Sequence, residues 1–147
     1  MWFVMMGLAA AGGAYDVLKL RDGGDCAALG TGPEARDELI ALAEGDVGPP
    51  YVPIRAAECL VQGFAADATV VEHARTWVAD PEKAGLGIIV AGEIDAFSVE
   101  DGVSIARAAV AGTDPKMRER LIRRFMRSER IEVRKVVEGV DAGGGGR

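Results

Sequence analysis

The fold class of this chain is decided by two stretches that begin alike, DPEKA at residues 80–84 and DPKMR at residues 114–118. In each, an aspartate can cap a helix with its side chain, and a proline takes the first helical position, where its missing N–H costs nothing. Ser98 with Asp101 resembles a capping box, and Asp67 can cap a further helix. These signals predict short helices that begin at defined residues.

Apolar residues between these starts recur at the spacing of a helix. Val70, Ala74 and Trp77 fall on one face, for example, and Trp77 is expected in the core. The best strand candidate, residues 87–90, lies within a helical segment and is interpreted as buried helix. The predicted helices are 34–44, 53–64, 68–79, 81–91, 99–111, 115–127 and 129–138. We therefore expect an all-α fold of short antiparallel helix pairs, stacked as an array or packed as a compact bundle.

Composition narrows the function classes. The chain has 147 residues, of which 49% are apolar, 27% charged and 5% aromatic, which excludes disorder for most of its length. There is no asparagine and one histidine, so any Ser-His-Asp or Cys-His site would need His73. His73 borders an apolar stripe and is interpreted as a half-exposed boundary residue. We expect no enzyme activity and no cofactor.

The first 14 residues carry no charge and match the apolar region of a secretory signal peptide. Gly12 and Ala14 are the small residues that a signal peptidase needs before Tyr15, although the usual basic start is missing. The segment is short for a membrane helix. We predict export to the periplasm or beyond, with residues 1–14 removed. Two alternatives remain: a packed N-terminal helix in a cytoplasmic protein, and an uncleaved membrane anchor formed by residues 1–20.

The two cysteines, Cys26 and Cys59, bear on the same question. In an exported domain they predict one disulfide, whereas in the cytosol they would be two buried thiols. The bridge would restrict the unfolded chain by about 3–4 kcal/mol and would fix a glycine-rich stretch to a helix. No metal site is expected, because the cysteines have no partner ligands nearby.

The helix starts also show a rough repeat, since Pro53, Pro81 and Pro115 are 28 and 34 residues apart. With IRAA at 54–57 and EVR at 132–134, the chain resembles small HEAT-repeat proteins over residues 34–138. The resemblance implies a binding scaffold with a concave helical surface and no particular chemistry. The predicted organisation is a signal peptide at 1–14, a glycine-rich lead-in at 15–33, the helical repeat domain at 34–138 and a flexible tail at 139–147.

Charge is distributed unevenly along the chain. Residues 114–135 carry nine basic and four acidic residues, a net charge of +5 that leaves −11 for the rest of a chain whose total is −6. Arg120, Arg124 and Arg127 share one helical face. They form either a patch that binds an acidic partner or a solvated face paired with the chain's own acids. The candidate binding residues are Arg120, Arg123, Arg124, Arg127, Arg130 and Arg134.

The remaining candidates have plainer interpretations. The acid pairs Glu93–Asp95 and Glu100–Asp101 lie at predicted helix ends, where acids serve as caps or solvated ends. The glycines at 23–24 and 30–32 lack the strand and the Lys-Ser/Thr of a phosphate loop. No aromatic stacking residues accompany the arginines, so no nucleic acid is expected.

These observations together predict a non-enzymatic protein–protein interaction module outside the cytoplasm. Its partner would be another protein, one with an acidic surface. A membrane would be involved only if residues 1–20 stay uncleaved. The alternatives are an enzyme or enzyme subunit that uses carboxylates in a groove, and a membrane-anchored structural protein.

Overall fold

The computed structural model describes residues 13–19, 26–46, 48–112 and 114–145, and for residues 141–145 it describes the backbone alone. The predicted signal peptide therefore lies almost wholly outside the described residues. In the described ranges the regular structure is helical and contains no β-strand, as the all-α prediction requires. No helix in these ranges has the length and apolar character needed to cross a membrane.

The helices are numbered here from the first one whose two ends are both described, and a short helical segment at 13–18 precedes them. They are α1 Pro33–Glu44, α2 Tyr51–Phe64, α3 Ala68–Ala79, α4 Ala84–Gly92, α5 Val99–Val110, α6 Pro115–Phe125 and α7 Ile131–Gly145. Single 3₁₀ turns lie at Cys26–Ala28, Pro81–Lys83 and Ile94–Ala96.

Local capping sets the helix starts. The Asp67 carboxylate accepts the N–H of Thr69 at 2.8 Å, and the Asp114 carboxylate accepts that of Lys116 at 3.0 Å. The hydroxyl of Ser98 accepts an N–H within the first turn of α5. Each bond satisfies a donor that the first helical turn leaves unpaired. The caps predicted at these three residues are confirmed.

Some predicted boundaries differ from the structure. The helix expected at 81–91 begins with the 3₁₀ turn Pro81–Lys83. The Asp80 side chain accepts the N–H of Glu82 and so caps this turn, and α4 starts only at Ala84. Helix α6 ends at Phe125 and not at 127. Helix α7 continues through Gly145, within the segment predicted as a flexible tail.

The chain divides into two compact units, Met1–Phe64 and Ala65–Arg147. In the first unit α1 packs on α2, and Leu18 from segment 13–18 is fully buried. The guanidinium of Arg55 donates to the carbonyl of Leu18 at 2.9 Å, and the hydroxyl of Tyr51 donates to that of Lys19. Residues 15–19, which the sequence assigned to the glycine-rich lead-in, are thus held by side chains of α2.

In the second unit each helix contacts more than its neighbour in sequence. Helix α3 packs on α4 and α5, α4 on α6, and α5 on both α6 and α7. The largest fully buried side chains of this unit are Trp77, Phe97 and Phe125, with Ile105 and Leu121. Trp77 therefore belongs to the core, as its spacing predicted.

Candidate functional site

Helix α6 carries the arginine-rich face that the sequence singled out. The helix begins at its Asp114 cap, and its apolar residues Met117, Leu121 and Phe125 are buried. Four basic residues lie on its exposed side at spacings of four, four and three. This basic stripe consists of Lys116, Arg120, Arg124 and Arg127, the last of which follows the end of the helix.

The structure separates the six candidate arginines by what they contact. Arg123 pairs with Glu119 at 2.6 Å, on the same helix. Arg130 donates to the carbonyl of Asp95 at 3.2 Å, and Arg134 donates to that of Ser128 at 2.5 Å. The side chains of these three arginines therefore make their contacts within the second unit.

The other three arginines belong to the basic stripe. Among the described residues, the side chains of Arg120, Arg124 and Arg127 are exposed and make no hydrogen bond or ion pair. Arg124 extends over Gly92 of α4, where a β-carbon would lie 3.3 Å from its Nη1 atom. Because Gly92 has no side chain, the Arg124 guanidinium has room on the surface. Among the described residues, these three arginines form no ion pair with the chain's own acids, whereas Arg123 does.

Asp95, weighed above as half of an acid pair, anchors the turn between α6 and α7. Its carboxylate accepts a hydrogen bond from the hydroxyl of Ser128 and, at 2.8 Å, one from the N–H of Glu129. Ser128 is 5% exposed, and its oxygen also accepts the N–H of Arg130 at 3.0 Å. Sequence reasoning missed this network. The one local signal was a serine at a break between two helical patterns.

The remaining candidates are a boundary residue, two acids at a helix start and glycines that precede α1. His73 is half-buried, with its ring centroid 5.8 Å from that of Trp77. Glu100 and Asp101 lie in the first turn of α5, as expected of acids at a helix start. Glycines 30 and 32 lie before α1 and glycines 23–24 outside the described residues. Within the described part of the chain, no three histidine, cysteine or acidic side chains form a group that could hold a metal ion.

The sulfur atoms of Cys26 and Cys59 lie 2.04 Å apart, at bonding distance, with Cα atoms separated by 5.3 Å. The predicted pairing of these cysteines is confirmed. It joins the 3₁₀ turn Cys26–Ala28 to the middle of α2.

A pocket in the first unit brings two acids to one cavity. Its lining is largely apolar, and it includes Ala14, Leu39, Glu34 and Glu38. Burial raises the pKa of the Glu38 carboxyl, and the N–H groups of Ala14 and Tyr15 oppose that rise. The Ala14 N–H donates to Oε1 of Glu38 at 3.2 Å. Glu38 therefore holds backbone groups of the N-terminal segment, a role that the sequence did not indicate.

We compared the chain with known protein families, curated proteins and solved structures. No family model, no curated protein and no solved structure matches the chain. The basic stripe of α6, a row of four exposed basic residues without a partner among the described residues, is the candidate functional site.

Proposed function

We propose that this protein is a HEAT-like helical interaction module that works outside the cytoplasm and binds an acidic protein surface through the basic stripe of α6. The proposal rests on one observation: the six candidate arginines differ in whether their side chains have a partner in the second unit. Arg123, Arg130 and Arg134 are occupied within the second unit, whereas Arg120, Arg124 and Arg127 are exposed and unpaired among the described residues.

The chemistry of arginine suits this role. A guanidinium presents a planar set of donors that matches a carboxylate bidentately. One exposed ion pair contributes only about 0.2–1 kcal/mol, so a useful affinity needs several pairs that form together. The basic stripe covers about three helical turns. It therefore fits a partner whose carboxylates are spaced along one face of a helix or an extended segment.

The charge distribution favours a defined orientation of the partner. Residues 114–135 have a net charge of +5, and the rest of the chain has −11. An acidic partner is repelled by most of the chain and attracted at the stripe, which favours one docking orientation over the others.

Helix order in the second unit supports the HEAT-like part of the proposal. Contacts between α3 and α5, α4 and α6, and α5 and α7 join each helix to the next but one. This pattern is expected when successive helix pairs stack. The extracytoplasmic part rests on the paired cysteines and on the uncharged residues 1–14.

The test compares two charge-reversed variants in an affinity purification from the exported fraction of the source cells. The stripe variant changes Arg120, Arg124 and Arg127 to Glu. The control variant makes the same charge change at Lys83, Arg107 and Lys135, which lie elsewhere in the second unit. We expect an acidic protein to be retained by the wild type and the control, with recovery about tenfold lower for the stripe variant.

The recovery should also fall as salt is added, because exposed charge pairs are screened. Equal recovery of every bound protein by the stripe variant and the wild type would contradict the proposal. Circular dichroism of both variants shows whether the helices are retained. If either variant loses helix, the same three residues of that variant are changed to Gln instead, and the comparison is repeated.

A further inference from the structure

The carboxylate of Glu38 lies against the backbone at the point where the sequence predicts a cut. Its Oε1 atom accepts the N–H of Ala14 at 3.2 Å, and the N–H of Tyr15 also favours its charged form. Glu38 lies on α1, and the pocket around it is lined mainly by apolar groups, among them Val17 and Leu39. A half-buried carboxylate is thus held beside the nitrogen of Tyr15.

The residues that follow Ala14 are fixed to the first unit by contacts of their own. The ring of Tyr15 lies against Gly48, whose φ of +77° and lack of a side chain allow the approach; a β-carbon there would be 2.6 Å from the Tyr15 hydroxyl. Leu18 is 0% exposed, and its carbonyl accepts from Arg55. By contrast, Gly13 is exposed and Ala14 buries a single methyl group.

We propose that the chain is cut between Ala14 and Tyr15 during export, and that Glu38 holds the α-ammonium group of the new N-terminus. The proposal rests on the extracytoplasmic location proposed above. An endopeptidase of the export route would hydrolyse the Ala14–Tyr15 amide before folding, because Ala14 is buried in the folded chain. Water adds across the bond: Ala14 leaves with a carboxylate, and the Tyr15 nitrogen takes up protons to become an ammonium.

The cut would place a positively charged Tyr15 ammonium beside the Glu38 carboxylate, where the uncut chain has neutral backbone N–H groups. The other charged residues on α1 and on segment 13–19 are Glu34, the pair Arg36–Asp37, Glu44 and the pair Asp16–Lys19. Helix α2, which packs on α1, adds Glu58 and Arg55, whose guanidinium donates to the carbonyl of Leu18. The described residues 26–33 carry no charge. A Tyr15 ammonium would therefore give Glu38 a formal counter-charge where the uncut chain offers backbone N–H groups. Opposite charges this close favour each other's ionised forms.

The first measurement is the intact mass and N-terminal sequence of the protein purified from the exported fraction. We expect a chain that begins at Tyr15. A chain that keeps Met1, or one that begins at any other residue, would overturn the proposal. This result is independent of the α6 stripe, so a failure of the binding proposal and a failure of this one are distinguishable.

The second measurement is the pH profile of α-amine acylation in the exported wild type, the Glu38→Gln variant and a Glu34→Gln control. Its midpoint reports the pKa of the amine, whose ordinary value is about 7.7–8.0. We expect a higher midpoint in the wild type and the control, with acylation at neutral pH about three- to tenfold slower than in Glu38→Gln.

Equal midpoints in the wild type and Glu38→Gln would remove the proposed pairing even if the cut occurs at Tyr15. Should Glu38→Gln fail to accumulate, the wild type decides alone. A wild-type midpoint within or below the ordinary range of an α-amine then overturns the pairing.

Discussion

Gly87 shows how one missing side chain sets the distance between two helices. A β-carbon at this position of α4 would lie 2.7 Å from the carbonyl oxygen of Trp77 and 3.2 Å from the Cα atom of Val78. Both are backbone atoms of α3, so they cannot move aside as a flexible side chain would. The residue is buried within a run that the sequence already placed in a buried helix.

Replacing Gly87 by Ala is therefore expected to lower the free energy of unfolding by about 1–3 kcal/mol, because α3 and α4 must separate. Gly139→Ala in α7 is the matched control, since a β-carbon there meets nothing within 4 Å. Helix propensity predicts that the control is neutral or gains up to about 1 kcal/mol. Urea unfolding measures both, and a Gly87→Ala protein as stable as the wild type would contradict the close approach.

Glu38 gives a pH dependence with a defined sign. Burial, the largest cause, raises its pKa above 4.5 in the folded chain with the Ala14–Tyr15 bond intact. The folded state then binds more protons than the unfolded state, so this contribution to stability is present below 4.5 and lost as pH rises through the raised pKa. The unfolding free energy of the wild type relative to Glu38→Gln should thus increase on acidification.

In the chain that begins at Tyr15 the sign should reverse, because the ammonium favours the charged carboxylate. The wild-type advantage over Glu38→Gln would then shrink as pH falls. Urea titrations of both forms across this range provide the measurement. The same sign in the uncut and the cut chain would contradict a role for the Tyr15 amine.

At the scale of elements, helix α6 depends on its aspartate cap. The Asp114 carboxylate accepts the N–H of Lys116 at 3.0 Å and that of Met117 at 3.4 Å. Asp114→Ala is expected to lower the unfolding free energy by about 0.5–2 kcal/mol. Asp114→Asn keeps a hydrogen-bond acceptor and should therefore retain most of the cap's contribution to stability. Urea unfolding distinguishes the two, and equal stability of Asp114→Ala and the wild type would show that the cap contributes nothing.

The turn after α6 shows where reasoning from one element alone is insufficient. The arginine-rich pattern continues past Phe125, and the sequence predicted helix to residue 127. The helix instead ends where the Asp95 carboxylate accepts hydrogen bonds from the hydroxyl of Ser128 and the N–H of Glu129, which lie 33 and 34 residues away in sequence. A long-range hydrogen-bonding network, and not local propensity, ends the helix. Arg130 joins this network by donating to the carbonyl of Asp95.

At the scale of the whole molecule, the cysteine pair constrains the first unit. A cross-link spanning 33 residues is expected to contribute about 3–4 kcal/mol by restricting the unfolded chain. Reduction should therefore raise the hydrogen-exchange rates of amides in α2 and lower the unfolding midpoint of the wild type. The Cys26→Ser, Cys59→Ser double variant should match the reduced wild type and be insensitive to reductant. A wild type that is unchanged on reduction would contradict the prediction.

The sequence by itself determined the all-α class, the capped starts of α3, α5 and α6, and the buried faces. These depend on groups within one or two turns of each other: Asp67 and Asp114 cap the N–H groups next to them, and Trp77 is buried because its apolar neighbours share its face. The sequence also named Cys26 and Cys59 as a disulfide pair on the condition of export, and the structure places their sulfur atoms at bonding distance. It did not place the starts of α2, α4 and α7, which begin at Tyr51, Ala84 and Ile131 and not at 53, 81 and 129.

Only the tertiary structure decided which polar side chains are left exposed and unpaired. Arg127 and Arg130 have the same chemistry, and they differ because the carbonyl of Asp95 lies within reach of one and not the other. Likewise, nothing near Glu38 in sequence indicates that it meets Ala14, 24 residues away. Such contacts join residues far apart in the chain, and packing rather than local periodicity brings them together.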